Sequence, residues 1–162
     1  MKTIVVYYSL EGNTDFAAGK IAGLLGADTL RLHPKKEYPT GPIKKFFWGG
    51  KSAVMGETPE LEPYTFDASA YERVIIGTPV WAGTITPPVR TFIKENDLSG
   101  KKIAAFVCQA ASNDQKTFMR LKDALKIETL EAEMILVEPK KKPKEMNEER
   151  IAEFCAKLGG KE

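Results

Sequence analysis

A run of small polar residues follows an apolar segment near the start of the chain. Residues 4–8 are apolar or aromatic, residues 9–14 carry hydroxyl and amide groups, and residues 16–25 have apolar side chains at helical spacing. This order predicts a strand, a loop and a helix N-terminus, where unpaired backbone N–H groups and the helix dipole attract an anion. Gly12 allows close approach of such a group. Because the loop has no Lys or Arg, it predicts a phosphate site built from neutral donors, with side-chain donors Ser9, Asn13 and Thr14.

Other loops of this kind need residues that this chain lacks. A nucleotide-hydrolysing P-loop ends in Gly-Lys-Ser/Thr, and a dinucleotide fingerprint needs Gly-x-Gly-x-x-Gly, but only Gly12 is present here. A receiver domain needs acidic residues where this chain has Ser9 and Thr78. One alternative stays open, an ordinary helix start with Asn13 or Thr14 as the N-cap.

Length and composition predict one soluble domain. The chain has 162 residues, of which 43% are hydrophobic, enough for a single core. Its net charge of +2 gives no strong attraction to nucleic acid. The cysteines, Cys108 and Cys155, are far apart in sequence, and no segment approaches the ~20 apolar residues of a membrane span. We therefore expect a cytoplasmic protein without a disulfide framework.

Short apolar segments alternate with helical patterns along the chain. Nearly continuous apolar runs are typical of strands that are buried on both faces of a parallel sheet. The predicted strands lie at 3–8, 29–32, 74–76, 103–107 and 134–137. The predicted helices lie at 13–25, 88–95, 115–124 and 148–158. The alternation predicts an α/β fold with a doubly wound, five-stranded parallel sheet in one domain, residues 1–162.

The segment at about 34–71 interrupts this alternation. It contains no clean strand–helix unit and predicts a long excursion with one short helix near residues 42–54. Loops of this length are uncommon in compact domains and are often functional. We expect Phe47 or Trp48 in this helix to pack on the sheet, because aromatic stripes usually belong to the core. The alternative is a surface that binds a partner.

Two further loops reach the same edge of the predicted sheet, where open parallel sheets bind their ligands. Residues 77–84 follow the third strand and place Trp81 between proline and glycine, which predicts a surface loop with an exposed indole as a platform for a flat ligand. The alternative is an indole folded back onto the sheet. Residues 108–114 follow the fourth strand and are small and polar, which suits the edge of a ring.

Two of these loops resemble the flavin loops of the flavodoxin family. The family's phosphate loop usually reads Ser/Thr-x-Thr-Gly-Asn-Thr, and the residues here are Ser9-Leu10-Glu11-Gly12-Asn13-Thr14. Its second flavin loop is similar to Gly77-Thr78-Pro79-Val80-Trp81-Ala82-Gly83. The likeness in element order spans nearly the whole chain. It implies a flavodoxin-like fold with strand order 2-1-3-4-5 and FMN as the cofactor.

The resemblance also implies roles for individual residues. The phosphate would be held by residues 9–14, Trp81 would lie beside the isoalloxazine, and the backbone of residues 78–83 would approach the ring. The implied cofactor-binding residues are Ser9, Leu10, Glu11, Gly12, Asn13, Thr14, Thr78, Pro79, Val80, Trp81, Ala82, Gly83, Gln109, Ala110 and Ser112.

Some features depart from the family pattern. Glu11 stands where a hydroxyl is usual, and its carboxylate would repel a phosphate dianion, so we expect its side chain to point to solvent. The third loop lacks the family's Gly-rich sequence and its frequent stacking Tyr, which leaves one flavin face open or covered by the excursion. The net charge of +2 contrasts with strongly acidic electron carriers, so the chain lacks their negative surface for a basic partner.

The resemblance implies an electron carrier in which FMN does the redox chemistry while the protein binds and orients it. The alternatives are an FMN-dependent NAD(P)H:quinone reductase or related oxidoreductase, and a phosphate-ligand binding module that has lost FMN. Expected partners are a redox protein or a small-molecule electron donor or acceptor, with no nucleic acid and no membrane. No catalytic residue or metal site is predicted. We expect a buried, inert Cys108, a structural His33 and a solvated link at residues 140–144.

Overall fold

The computed structural model describes residues 1–110, 115–141 and 145–160 of the chain. Within these residues, the centre is a sheet of five parallel strands in the order β2-β1-β3-β4-β5. The strands are β1 (Thr3–Tyr7), β2 (Asp28–Arg31), β3 (Arg73–Pro79), β4 (Lys102–Gln109) and β5 (Glu133–Val137). The predicted fold class and the strand order 2-1-3-4-5 are confirmed.

Helices cover both faces of this sheet. They are α1 (Asn13–Leu25), α2 (Pro42–Lys44), α3 (Lys51–Val54), α4 (Pro87–Glu95), α5 (Lys116–Leu125) and α6 (Glu145–Lys157). Val5 and Tyr7 of β1 pack in one core with α1 and α6, whereas Ile4 and Val6 pack in the other with α4 and α5. Successive side chains of a strand point to opposite faces. Burial on both faces therefore accounts for the unbroken apolar runs of the sequence.

β3 and β4 continue beyond the apolar runs that predicted them. Gly77, Thr78 and Pro79 of β3 pair with residues 106–108 of β4, so both strands reach the edge where the loops meet. The ring of Phe106 occupies the space that a Cβ at Gly77 would need. The small residue Gly77 thus lets β3 and β4 approach closely and pair beyond their apolar runs. Small residues of this kind do not belong to an apolar run, so the sequence gives no signal for this part of the strand.

The segment at 34–71 leaves the sheet and contains the predicted helix over residues 42–54. This excursion helix consists of α2, a π-helical turn (Lys45–Gly50) and α3. Trp48 is 63% exposed, so the expectation that it packs on the sheet is wrong. The Phe47 side chain lies outside the described part of the structure. None of the helices in the described residues combines the length and the apolar composition that a membrane span requires.

Arg73 is a buried cation at the amino end of β3. Its Nε and Nη2 atoms donate to the Glu131 carboxylate at 2.7 and 2.7 Å, and its Nη1 donates to the Leu158 carbonyl at 3.0 Å. The bonds to Arg73 hold the pKa of Glu131 below its ordinary value. We expect Glu131→Gln to lower the free energy of unfolding at pH 7 by about 1–2 kcal/mol, because it leaves the buried Arg73 cation with a neutral partner at a partly exposed position.

The same substitution tests the pH dependence of stability. A carboxyl group with a lowered folded-state pKa stabilises the fold above its ordinary pKa, here 4.5, and this contribution is lost as the pH falls. Urea unfolding between pH 7 and pH 3 should therefore show a smaller acid-induced loss for Glu131→Gln than for the parent protein. Glu133→Gln removes an exposed carboxylate and should follow the parent curve. Parallel curves for the parent protein and Glu131→Gln would contradict the role of this pair.

Candidate functional site

A cleft opens at the carboxyl ends of β1, β3 and β4, where the predicted loops meet. Its volume is about 510 Å³, part of which is open to solvent. Most of the predicted site residues line it, namely Ser9, Leu10, Glu11, Asn13, Thr14, Pro79, Val80, Trp81, Gln109 and Ala110. The cleft wall also contains residues that sequence reasoning did not assign to it, Lys45, Cys108 and Glu138. The sheet thus brings three distant loops to one place, as its topology predicts.

The first loop turns into α1 through Gly12. Its φ of 95° lies in the left-handed region, which glycine adopts without a steric penalty. Ser9 Oγ accepts hydrogen bonds from the N–H groups of Gly12 at 3.2 Å and Asp15 at 3.1 Å. The N-cap is therefore Gly12, with Ser9 as the side-chain acceptor, and the alternative of Asn13 or Thr14 as N-cap is wrong. These bonds hold the loop in a fixed shape around its open side.

Two buried polar groups face the cleft without a partner. Thr14 Oγ1 and Gln109 Nε2 have no hydrogen-bond partner among the described residues, and both residues line the cleft. The backbone N–H groups of Asn13 and Thr14, in the first turn of α1, also donate to no described group. An unsatisfied buried polar group costs about 1–3 kcal/mol, so such groups need an explanation such as a ligand. The arrangement suits a ligand with an anionic group near Thr14.

Cys108 lines the cleft beside Thr14. Burial raises the pKa of its thiol to about 12, and the Thr14 hydroxyl, which makes no hydrogen bond of normal geometry, lowers the pKa by less. A thiol with so high a pKa stays protonated at neutral pH and is a poor nucleophile. The expectation that Cys108 is buried is confirmed, and its lack of reactivity stays a prediction.

Cations from other parts of the chain reach the first loop. Glu11 is exposed, as expected, and its Oε1 also lies 3.1 Å from Lys45 Nζ of the excursion helix, an ion pair that the sequence did not predict. Lys140 Nζ lies 2.8 Å from the position that a Cβ on Gly12 would occupy, and the Lys140 N–H donates to Asn13 Oδ1 at 3.0 Å. The site is therefore not built from neutral donors alone. Lys140 also does more than the predicted solvated link, of which residues 142–144 lie outside the described part.

The charge of Glu11 can be tested directly. We expect Glu11→Gln to tighten the binding of a phosphate-bearing ligand about 3- to 10-fold, because it removes a negative charge and leaves Lys45 unpaired. The gain corresponds to ~1 kcal/mol, the scale of one charge interaction near a protein surface. Equilibrium titration of FMN would measure it. Glu60→Gln breaks a similar pair with Lys35, at 2.5 Å, away from the cleft and should change nothing. Weaker binding by Glu11→Gln would mean that the pair with Lys45 shapes the loop.

The second loop ends in a tight turn at the rim of the cleft. Trp81 and Thr84 exchange two backbone hydrogen bonds, at 3.2 and 3.1 Å, around Ala82 and Gly83. The φ angles of these two central residues are 50° and 72°, as in a type I′ turn. The left-handed conformation of Ala82 costs about 1–2 kcal/mol for a residue with a Cβ. Backbone strain of this kind clusters at binding sites.

Trp81 does not form the exposed platform that the sequence predicted. It is only 5% exposed, and its ring contacts Tyr8 and Tyr38 edge-on at centroid distances of 5.6 and 5.0 Å. Gly49 of the excursion helix packs against the indole, because a Cβ there would lie 3.1 Å from the ring. The excursion thus covers a side chain that a Pro/Gly loop alone would leave exposed. Trp81 still lines the cleft.

A few predicted site residues do not line the inner cleft. The Thr78 side chain is fully buried, and its hydroxyl bonds to Thr86 Oγ1 at 2.9 Å and accepts the Thr86 N–H at 3.2 Å. Ala82 lines the outer part of the cleft, and Gly83 faces a neighbouring groove. Ser112 lies outside the described residues. Thr78 therefore fixes the start of α4 and has no free side-chain donor.

Comparison with known proteins finds one matching family and several similar solved structures. A family profile described as Flavodoxin matches residues 2–150 of the chain. A Lactobacillus acidophilus flavoprotein in complex with FMN superposes with a TM-score of 0.75 at 18% identity, over 94% of this chain and 97% of that chain. Oxidised flavodoxin 2 from Bacillus cereus gives 0.62 at 17% identity over 98% of each chain. Two-electron reduced flavodoxin from Megasphaera elsdenii gives 0.57 at 19% identity, over 96% of this chain and 98% of that one.

These three likenesses agree with the fold described above. The family match covers nearly all of the chain, including each loop that lines the cleft. The chain belongs to the flavodoxin family.

Proposed function

We propose that the chain binds FMN in the cleft and functions in electron transfer. The observation that carries this proposal is the pair of unpartnered buried groups, Thr14 Oγ1 and Gln109 Nε2, which face one cleft at the carboxyl edge of the sheet. They suit a ligand that has an anionic end and a polar ring edge. FMN has both, and the similar Lactobacillus acidophilus flavoprotein was solved in complex with FMN.

The phosphate end would be held by the first loop. The Thr14 hydroxyl and the N–H groups of Asn13 and Thr14 are available as donors at the start of α1. Lys140 Nζ, beside Gly12, would balance part of the dianion's charge. Lys45 neutralises Glu11, which would otherwise repel the phosphate. Membership of the flavodoxin family favours FMN as the ligand, and these groups suit its phosphate.

The ring end would lie among the second and third loops. Val80, Trp81 and Ala110 line both the inner cleft and its outer part, so they are the residues that would contact the ring. When bound, FMN supplies the ability to accept and release electrons. The chain's residues would exclude water from the ring, orient it and expose one edge. Gln109 Nε2 would donate a hydrogen bond to a ring oxygen or nitrogen.

A second candidate function is an FMN-dependent oxidoreductase that takes electrons directly from a small molecule. One observation favours it. The outer part of the cleft has a volume of about 1460 Å³ including its open side, and the exposed side chains of Val54 and Met55 line it. A second molecule would find room there beside a bound flavin. The electron donor or acceptor is thus a redox protein for the carrier or a small molecule for the enzyme.

The visible spectrum of the purified protein separates these functions. FMN-loaded protein should show flavin absorption bands, which a binding module without FMN would lack. We expect anaerobic NADPH or NADH to bleach the bands slowly or not at all in a carrier. Rapid bleaching, within the turnover times of enzymes, would establish the oxidoreductase.

We also propose that the chain forms one domain. We propose a cytoplasmic location as well, since Cys108 and Cys155 are free thiols.

A further inference from the structure

A second depression lies between α4 and α5, next to the cofactor cleft. Its volume is about 1810 Å³ including the open side. Val54 and Ala82 line both this groove and the outer part of the cleft, so the two spaces are neighbours. A ligand in the groove would therefore lie next to the proposed flavin site.

The groove contains two arginines without an anionic partner. Arg90 and Arg120 line it, and neither takes part in any ion pair among the described residues. The Nε atom of Arg90 is buried and has no hydrogen-bond partner in that part of the chain. Asp123 also lines the groove, yet it lies beyond ion-pair distance of both arginines. Two guanidinium groups thus share one space, and neither forms an ion pair within the described residues.

The electrostatics of this pair favour an added anion. Burial and the nearby charge of Arg120 lower the pKa of Arg90. The direction shows that desolvation and like-charge repulsion both act against the charged form. Charged groups in such a position are usually paired or hydrogen-bonded. Phosphate suits them best, because the planar guanidinium forms two parallel hydrogen bonds to its oxygens.

Part of the remaining wall is apolar, and Thr84, Lys116 and Asp123 also line it. Val54 and Met119 are 69% and 60% exposed, and both line the groove. Methionine adapts its shape and makes favourable contacts with aromatic rings. Inorganic phosphate would leave this apolar wall unused, whereas a nucleotide would place its phosphates on the arginines and a ring on the apolar wall.

We propose that the groove binds the phosphate groups of a pyridine nucleotide, with Arg90 and Arg120 as its anion-binding residues. The inference rests on the proposed function, because a bound nucleotide donor needs a flavin in the neighbouring cleft to receive its electrons. It names the class of small molecule that the oxidoreductase alternative would use.

Calorimetric titration of the oxidised, FMN-loaded protein tests the proposal. NADP⁺, NAD⁺ and inorganic pyrophosphate are the probes, since the oxidised nucleotides cannot reduce FMN during the measurement. We expect one-to-one binding of a nucleotide with a Kd of about 1 mM or tighter at low salt. Arg90→Gln and Arg120→Gln should each weaken it at least about tenfold. Lys94→Gln removes an exposed charge from the last turn of α4, outside the groove, and should weaken it less than about twofold.

The outcomes separate the sources of the phosphate. Tighter binding of NADP⁺ than of NAD⁺ supports the proposal and indicates that the arginines bind the phosphate on the ribose. Equal binding of the two nucleotides also supports it and indicates that the arginines bind the diphosphate bridge. Binding of pyrophosphate alone overturns the nucleotide assignment. Absence of binding, or an equal loss in Lys94→Gln, overturns the site.

Two controls keep the proposal separate from folding and from the proposed function. Thermal unfolding should find Arg90→Gln at least as stable as the parent protein, because the substitution removes repulsion. A destabilised Arg90→Gln would assign the arginine a structural role and overturn the inference. FMN titration of each variant should give unchanged affinity. If the protein as purified binds nucleotide but not FMN, the proposed function fails while the groove assignment stands.

Discussion

Riboflavin is expected to bind at least about 100-fold more weakly than FMN. The two ligands differ only in the phosphate, so the ratio of their dissociation constants measures what the first loop contributes. Two charge-assisted hydrogen bonds at about 1.5 kcal/mol each account for a factor of this size. In the proposed site the Thr14 hydroxyl and the first-turn N–H groups of α1 would supply the donors, and Lys140 would add positive charge. Titration by flavin fluorescence quenching would measure both constants.

Thr14→Val should reduce the ratio of the riboflavin and FMN dissociation constants. Valine keeps the shape of the side chain and removes the buried hydroxyl, so FMN binding should weaken by about 1–3 kcal/mol while riboflavin binding stays the same. Thr3→Val makes the same change in a buried residue at the far end of the sheet's first strand and should affect neither ligand. Equal losses for FMN and riboflavin in Thr14→Val would mean that the hydroxyl supports the cleft and does not touch phosphate. If riboflavin binds as tightly as FMN, the first loop is not the main anchor of the ligand.

The sheet could be predicted from the sequence because its signals are local. Four strands of the described sheet contain apolar runs, whereas β2 at the sheet edge is more polar and is partly exposed. The predicted helix over residues 13–25 has the bounds of α1. The ends of β3 and β4 were missed, since Gly77, Thr78 and Pro79 carry no apolar signal and pair through tight contact with Phe106.

The chemistry of the site depended on contacts that local patterns do not encode. Lys45 and Lys140 reach the first loop from positions far along the chain, and neither has a motif that marks it. The only hint was compositional: a loop with Glu11 but no cation would be a poor phosphate site unless a cation came from elsewhere. The burial of Trp81 likewise follows from the return of the excursion helix, whose Gly49 fits against the indole. The path of a long excursion depends on tertiary contacts, which the hydrophobic periodicity of the sequence does not encode.

Trp81→Ala should produce the largest loss of stability among single substitutions at the site. The indole is 5% exposed and packs edge-on against Tyr8 and Tyr38, so its removal leaves a large cavity between the sheet edge and the excursion helix. Truncation of a buried aromatic side chain costs about 3–5 kcal/mol. Urea unfolding monitored by circular dichroism would measure it. Trp48→Ala removes the same side chain from a 63% exposed position and should change stability by no more than about 0.5 kcal/mol.

Trp81→Phe separates the structural role of this residue from its role toward the flavin. Phenylalanine retains an aromatic ring beside Tyr8 and Tyr38, so the loss of stability should be smaller than for alanine. If the indole edge lines the bound ring, FMN affinity should still fall, by up to about 1–3 kcal/mol on the scale of aromatic stacking with a base. Bound FMN should also regain part of its fluorescence, because the indole is the stronger electron donor to an excited flavin. Unchanged affinity and unchanged quenching in Trp81→Phe would make Trp81 purely a core residue that anchors the excursion helix, and the ring contacts would then fall to Val80 and Ala110.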